Sequence, residues 1–369
     1  MNTQAFMHFH GSYRPEDVNF LLKPIQIEFV EIAEKERLIQ SGQRHYSEML
    51  SRERQPSPTY LSIFRRAQAA NRLRLARDLL ELAAIIAGRR GGAITLVSLA
   101  RAGTPVGVVL KHLLYRLWQR DCEHYSISII RDRGIDTIAL RHILENRGRE
   151  PETLVFVDGW TGKGVIAREL ALAVAQFNQA MATRIDPELY VVSDLAGVAG
   201  AAASCEDYLI PSSILNATIS GLVSRSVLNG QIGDGDFHGC VFHDEFAPQD
   251  MSTDYVDDLL QAAFELYASG HRPVGIPVDT RAAREVSRNF LRDCMGRFGV
   301  SDENLVKPGL GEATRVLLRR TPKRVMVRDA SLPEVAHLLQ LAAERNMVCE
   351  IDPDMPYLAV SLIEGQHDV

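Results

Sequence analysis

Between residues 93 and 196 four short apolar runs, AITLVSLA, YSISII, TLVFVDG and LYVVSDLA, alternate with helical stretches such as PVGVVLKHLLYRLWQR and VIARELALAVAQF. Repetition of a β-branched run too short for a helix, then a segment of helical period, is the pattern of a parallel sheet covered by helices. The fold class is therefore α/β, and in such folds ligands sit in the loops at the carboxyl ends of the strands. Upstream, residues 1–90 are rich in helix formers and read as a helical N-terminal extension; RRAQAANRLRLARDLLELAAIIAGRR has apolar residues at helical spacing and Gly88 near its end. Residues 91–250 form the α/β domain, and 251–300 a helical segment packing on or linking the core. Residues 301–369 form a small α/β/α unit in which 312–320 is helix, KRVMVRD strand, PEVAHLLQLAAERN helix and YLAVSLI strand.

Three strand-end loops carry the chemistry. SLARAGTPVG sets Arg101 among small residues, with Gly103 and Gly107 letting the backbone approach closely. SIIRDRGID flanks Asp132 with Arg131 and Arg133. VFVDGWTGKGV places Asp158 at a strand end and leads through Thr161, Gly162, Lys163 and Gly164 into a helix. A helix N-terminus offers unpaired N–H groups and about half a positive charge to a phosphate. A strand-end carboxylate can accept hydrogen bonds from sugar hydroxyls or stabilise positive charge on a sugar ring. Singly each loop is bland, since a Gly-rich turn is often only a turn and a loop arginine is usually solvated. Three in order suit a phosphorylated sugar. Val157 and Gly164 stand where a Walker A motif needs Gly and Ser or Thr, and the dinucleotide spacing is absent, so ATPase and dehydrogenase readings fall.

With 41 basic against 47 acidic residues, net charge −6 gives no whole-chain signal for nucleic acid or membrane. Five cysteines without a C-x-x-C pair argue against a disulfide framework or zinc site and for a reducing, cytoplasmic setting. MNTQAFMHFHGSY does not read as a signal peptide, and no apolar run approaches a membrane span.

The order ARAG, RDRGID, VFVDGWTGKG resembles the type I phosphoribosyltransferase fold, with its pyrophosphate loop, flexible loop and loop for phosphoribosyl pyrophosphate (PRPP). On matching, Asp158 takes the first acidic position, Gly159 replaces the second, Gly162 and Lys163 replace the hydroxyl pair, and Gly164 keeps the closing glycine. The blocks GSYRPEDVNFLLKPI, QSGQRHYSEML, IPSSILNATISGLVSRS and FHGCVFHDEF resemble phosphoribosyltransferase-like proteins of bacterial tellurite-resistance and stress gene clusters. Some members of that group carry the label cysteine protease StiP.

The resemblance implies transfer of a ribosyl phosphate from PRPP to a base-like acceptor, giving a nucleoside-like metabolite. Mg²⁺ would ride on the pyrophosphate without side-chain ligands, Arg101 and one or both of Arg131 and Arg133 would clamp this leaving group, and Asp158 would support the oxocarbenium-like centre. The N–H groups of 161–165 would take the 5′-phosphate. Asn216, Thr218, Ser220 and Arg225 are candidates for holding the acceptor, although a Ser/Thr-rich stretch serves as readily as a loop and helix cap. Loss of the second carboxylate at Gly159 leaves open a non-catalytic regulator that senses a nucleotide. A homodimer is also left open.

A third alternative is a cysteine hydrolase. DFHGCVFHDEF sets Cys240 near His238 and His243, so nucleophile, base and orienting carboxylates are all present. If 240–242 is a strand, a buried inert cysteine is the commoner outcome.

In the tail, Lys307, Arg315, Arg319 and Arg320 form a locally basic stretch suited to phosphate contacts. Lys307, Gly309, Glu312 and Arg315, with Thr314, match in type the Pelota-type, L7Ae-like RNA-binding fold. Gly311 stands where kink-turn readers have Asn. The resemblance implies RNA as a partner.

Overall fold

The computed structural model describes residues 8–363 apart from 54 and 321, and for Arg319 its backbone alone. In chain order the first elements are β1 (Asn19–Leu21), α1 (Ile32–Gln40), α2 (Pro58–Arg89), β2 (Ile94–Ala100), α3 (Thr104–Trp118) and β3 (Cys122–Ile130). They continue with β4 (Leu154–Thr161), α4 (Val165–Met181), β5 (Leu189–Asp194) and β6 (Ala201–Ser204). These strands pair in parallel in the order β1-β3-β2-β4-β5-β6, and Gly134–Ile135 folds back antiparallel on the end of β3.

Both faces of this sheet are covered, which is why its strands read as continuous apolar runs. Val155 and Val157 of β4 join a core with Leu79, Leu82 and Val109 from α2 and α3, whereas Leu154 and Phe156 join Leu170, Val174 and Phe177 of α4 on the other face. Each such fully buried Leu or Phe contributes about 1.5–3 kcal/mol. The first 90 residues are not helix alone. Asn19–Leu21 supplies the edge strand of the sheet, a three-residue run too short to carry a periodic signal. AAAS at Ala201–Ser204 escapes sequence reading for another reason, because alanine has no strand preference.

Downstream come α5 (Ser252–Ala268), α6 (Arg281–Phe298), β7 (Val306–Pro308), α7 (Leu310–Arg319), β8 (Pro322–Val327), α8 (Ala336–Glu344), β9 (Glu350–Ile351) and β10 (Ala359–Ile363). The second sheet has order β7-β10-β8-β9. Phe290 and Cys294 of α6 pack on Val306, Met326 and Leu362 on one of its faces. On the other, Leu310, Leu317 and Leu338 of α7 and α8 join the same core as Tyr208, Leu209 and Ile210. The C-terminal unit is thus no free appendage, since its helical layer is also a wall of the main domain. No helix of the described residues is long and apolar enough to cross a membrane.

Candidate functional site

β4 continues to Thr161, so Asp158 lies inside the strand, paired with Val191, and not at its end as expected. The Thr161 hydroxyl is already committed, donating to the Asp194 carboxylate, which also accepts the N–H groups of Ala196 and Ala199 at 3.1 and 2.8 Å. Gly164 takes φ +74° at the start of α4, and a Cβ there would lie 2.4 Å from Val198. The turn 162–164 and Asp158 line a cleft of about 260 Å³. Its opposite wall is the C-terminal unit, contributing Lys307, Glu312 and Arg315. A Cβ on Gly162 would stand 3.1 Å from Glu312 Cγ, so the missing side chain is what lets the two units close this far.

The electrostatics of this cleft are unusual. Burial pushes the Asp158 carboxyl up to about 7, only partly opposed by the N–H of Gly159 at 2.8 Å and by the Arg315 charge. Burial lowers Lys163 to about 8, and its ammonium donates to the Glu303 carbonyl. Arg315 pairs with Glu312 at 3.0 Å and lies 5.3 Å over the Trp160 ring. Arg131 completes the rim, its side chain against Asp132 at 3.1 Å and over Tyr46.

Arg101 is elsewhere. It lines a second cleft of about 470 Å³ together with Asn216, Thr218 and Arg225. There its guanidinium meets Glu53 at 2.7 Å, the Val223 carbonyl at 2.8 Å and Asn216 Oδ1 at 3.1 Å. Glu53 in turn accepts the N–H of Ala217 at 3.1 Å. Arg225 donates to the Tyr46 carbonyl at 2.7 Å and to the Met49 carbonyl, and burial lowers it to about 10. Ser220 Oγ donates to the Asn216 carbonyl at 2.9 Å, and Thr218 is buried. These residues, expected to hold an acceptor, are spent on anchoring the loop that carries them. Arg133 reaches Glu48 at 3.7 Å. The expected clamp of Arg101, Arg131 and Arg133 is not assembled, because the three arginines face different partners. Gly103 is likewise structural: a Cβ there would lie 2.6 Å from the Val157 carbonyl, so α3 rests on β4 through it.

Cys240 sits in a two-residue strand, Gly239–Cys240, beside Lys23–Pro24. It has no exposed surface, and burial raises its thiol well above the ordinary range. His238 accepts from or donates to Ser128 Oγ at 2.8 Å, and its backbone N–H donates to Asp136 at 2.6 Å. His243 is buried, stacked on Phe246 with ring centroids 5.0 Å apart, and bonded to Glu245 at 3.0 Å. Burial also raises Cys122 to about 12 and Cys205 and Cys294 to about 11. Among the described residues no thiol has a histidine within hydrogen-bond reach.

Of the expected RNA-contacting residues, Lys307, Glu312 and Arg315 face the first cleft. Gly309 is fixed by φ +91° and close approach to Leu195. Arg320 is exposed and pairs with Glu36 of α1 at 3.4 Å. The side chain of Arg319 lies outside the described residues. Long-range partners such as Glu53 for Arg101 carried no sequence signal. No group of three or more His, Cys, Asp or Glu side chains placed to hold a metal occurs among the described residues.

Fold and clefts together define an α/β protein with a mostly parallel sheet, whose strand-end cleft is closed by an appended unit. A family described as tellurite-like stress resistance cysteine protease StiP matches residues 11–260, and the PELOTA RNA binding domain matches residues 285–365. A relative named cysteine protease StiP, from Acinetobacter baylyi, is 39% identical over 368 residues, covering 96% of this chain and 94% of its own length. The chain belongs to the StiP family. Among solved structures, a C-DES mutant with glycine covalently linked to its PLP cofactor aligns over 90% of this chain and 87% of its own at 10% identity and a TM-score of 0.26, a likeness too slight to carry an argument. The matches overturn the expectation of ribosyl transfer from PRPP and of a role in nucleotide metabolism. Kinship with a named protease instead supports an enzyme of another class.

Proposed function

We propose that this chain is a stress-response thiol peptidase of the StiP kind, with Cys240 as its nucleophile, and that the conformation described is a latent one. The observation that carries the reading is end-to-end kinship with a protein named for cysteine protease activity. His238, two residues from the thiol, holds its ring on Ser128 Oγ and its backbone N–H on Asp136, so it would have to turn toward Cys240 to serve as the base that thiol catalysis needs. With the thiol sealed and protonated, catalysis requires the Gly239–Cys240 strand to open. Five unpaired cysteines fit a reducing cytoplasm. The test is hydrolysis of denatured casein by wild type, Cys240→Ala and Cys205→Ala, with and without mild urea to promote opening. Activity lost only in Cys240→Ala supports the reading, whereas equal activity in all three removes Cys240, and none in wild type under either condition removes the peptidase.

The PELOTA match favours a second reading, RNA contact through the C-terminal unit. With Lys307 and Arg315 turned inward, the exposed Arg320 and Lys323 would carry it, giving salt-dependent binding of low sequence preference. Fluorescence anisotropy with a structured RNA at two salt concentrations tests this.

A further inference from the structure

Residues 23–29, KPIQIEF, run extended from the edge of the main sheet, and Lys23, Ile25, Ile27 and Phe29 are half-buried while Pro24, Gln26 and Glu28 between them are exposed. That two-residue period is the mark of a strand laid with one face down. Its floor is the segment that carries Cys240. The Lys23 N–H donates to the His238 carbonyl at 2.9 Å and the Ile25 N–H to the Cys240 carbonyl at 2.8 Å, in parallel register, while the Phe29 ring lies over His243 with centroids 6.3 Å apart and 15° between planes. Lys23 Nζ also pairs with Asp236 at 2.7 Å, partly open to solvent.

The two edges of Gly239–Cys240 differ in strength. On the far edge Val227 exchanges backbone bonds with Gly239 at 2.7 and 2.8 Å, and Val227, Leu222 and Val223 are enclosed. On the near edge none of residues 23–46 is buried, and a cleft of about 560 Å³ separates Gln26, Ile27 and Val30 from Met49, Asn229 and Gln231. Segments with few buried apolar contacts open at the lowest free energy, so the near edge yields first. A strand edge that pairs with an extended chain is also how proteins take up a peptide, with pockets for alternate side chains giving specificity.

We propose that residues 23–29 occupy, from within the chain, the binding place of an extended peptide substrate whose alternate residues are apolar, and that they lift to admit it. The lifting segment ends where burial resumes, at Leu22 on one side and Ser47 on the other. That an admitted peptide is cleaved rests on Cys240 being the nucleophile; that it binds here does not.

The test compares the full chain with Lys23→Met/Phe29→Ala, which loses the ion pair and the ring stack but keeps the lysine stem. A fluorescent peptide of residues 22–30 binds the double variant at least about tenfold more tightly than wild type, whose own segment competes at high effective concentration. The same peptide carrying Ile25→Ser, Ile27→Ser and Phe29→Ser does not bind. Iodoacetamide labels Cys240 at least about tenfold faster in the double variant, with Cys122 unchanged. Arg292→Ala, on the exposed face of α6, alters neither readout. Thermal melts confirm that the variants fold, and in wild type itself the amides of 23–30 exchange at least about tenfold faster than those of 222–228. Equal exchange at the two edges overturns the proposal, as does unchanged Cys240 labelling or absent peptide binding in the folded double variant. Peptide binding without casein hydrolysis in any form upholds the site and removes the peptidase, whereas Cys240-dependent hydrolysis without peptide binding does the reverse.

Discussion

The Asp207 carboxylate accepts the backbone N–H of Leu310 at 2.8 Å through Oδ1, while its second oxygen accepts that of Leu358, also at 2.8 Å. One buried side chain thus ties the first turn of α7 and the entry to β10 to the main domain. Leu310 is at a helix start, where N–H groups have no intrahelical acceptor, so the carboxylate caps the helix from outside its own chain segment. Asp207→Ala leaves two enclosed donors unsatisfied, and we expect a loss of about 2–4 kcal/mol. Hydrogen exchange should show the loss first in 306–319 and 358–363. Exchange that rises evenly over the whole chain would mean that Asp207 does not hold the unit in particular.

A second expectation concerns α3. Gly107 faces His124, and a Cβ built on it would lie 2.2 Å from His124 Nε2. His124 cannot yield, because its ring is bonded to Ser98 Oγ at 2.8 Å and to the Asp17 carbonyl at 2.9 Å, and burial lowers it to about 3, keeping it neutral. Alanine would gain about 1 kcal/mol in helix propensity, yet overpacking should cost about 1–3 kcal/mol or more. Urea denaturation of Gly107→Ala, His124→Ala and the double variant should give a coupling of at least about 1 kcal/mol, whereas additive losses would show that the two positions do not meet.

The fold was more legible than the site, for reasons visible in particular residues. β2 to β5 are legible because strands covered on both faces carry dense apolar runs broken only by a few polar positions, as Leu154 to Val157 show most clearly. β1 and β6 are not, one being three residues long and the other mostly alanine. At the site, Asp158 and Lys163 share one strand and turn and so are neighbours in sequence, whereas Arg131, from the loop after β3, reaches the same cleft only through the fold. Arg101 was grouped with them by chain order alone, and only the fold reveals that Glu53, 48 positions earlier, draws it into another cleft. The basic stretch suggests that Lys307 and Arg315 contact phosphates of an RNA, whereas the fold turns them into the first cleft. Nothing local could show that the apolar stripe of α7 would turn them onto the Gly-rich loop.

The pH dependence of stability should carry the mark of Asp158. Its folded value near 7 lies above the ordinary 3.8, so the native state holds a proton that the unfolded chain has released between those values. Its favourable contribution is therefore complete below about pH 4 and is lost as pH rises through about 7. Asp158→Asn cannot titrate, yet its Oδ1 can still accept from Gly159. Between pH 5 and pH 8 wild type should lose about 1–2 kcal/mol more than the variant, allowing for the open side of the cleft. Melting curves at both pH values check it, and parallel changes in the two proteins would mean that the carboxyl is not held protonated. Asp78 and Asp207, both raised to about 6 by burial, add the same slope to each protein and cancel in the comparison.

Cysteine reactivity separates the latent form from an open one. Alkylation requires thiolate and access together, and Cys240 offers neither, with no exposed surface and a thiol raised by burial alone. Cys205 and Cys349 are half-exposed, and burial raises both less completely. Iodoacetamide at pH 8 should label these two first, with Cys240 slower by at least about tenfold, as read by mass spectrometry of tryptic peptides. If the strand Gly239–Cys240 opens for catalysis, labelling of Cys240 should quicken under the conditions that bring on casein hydrolysis, and do so without matching gains at the fully packed Cys122. Labelling of both cysteines in step would report global unfolding, and the local opening on which the peptidase reading depends would be excluded.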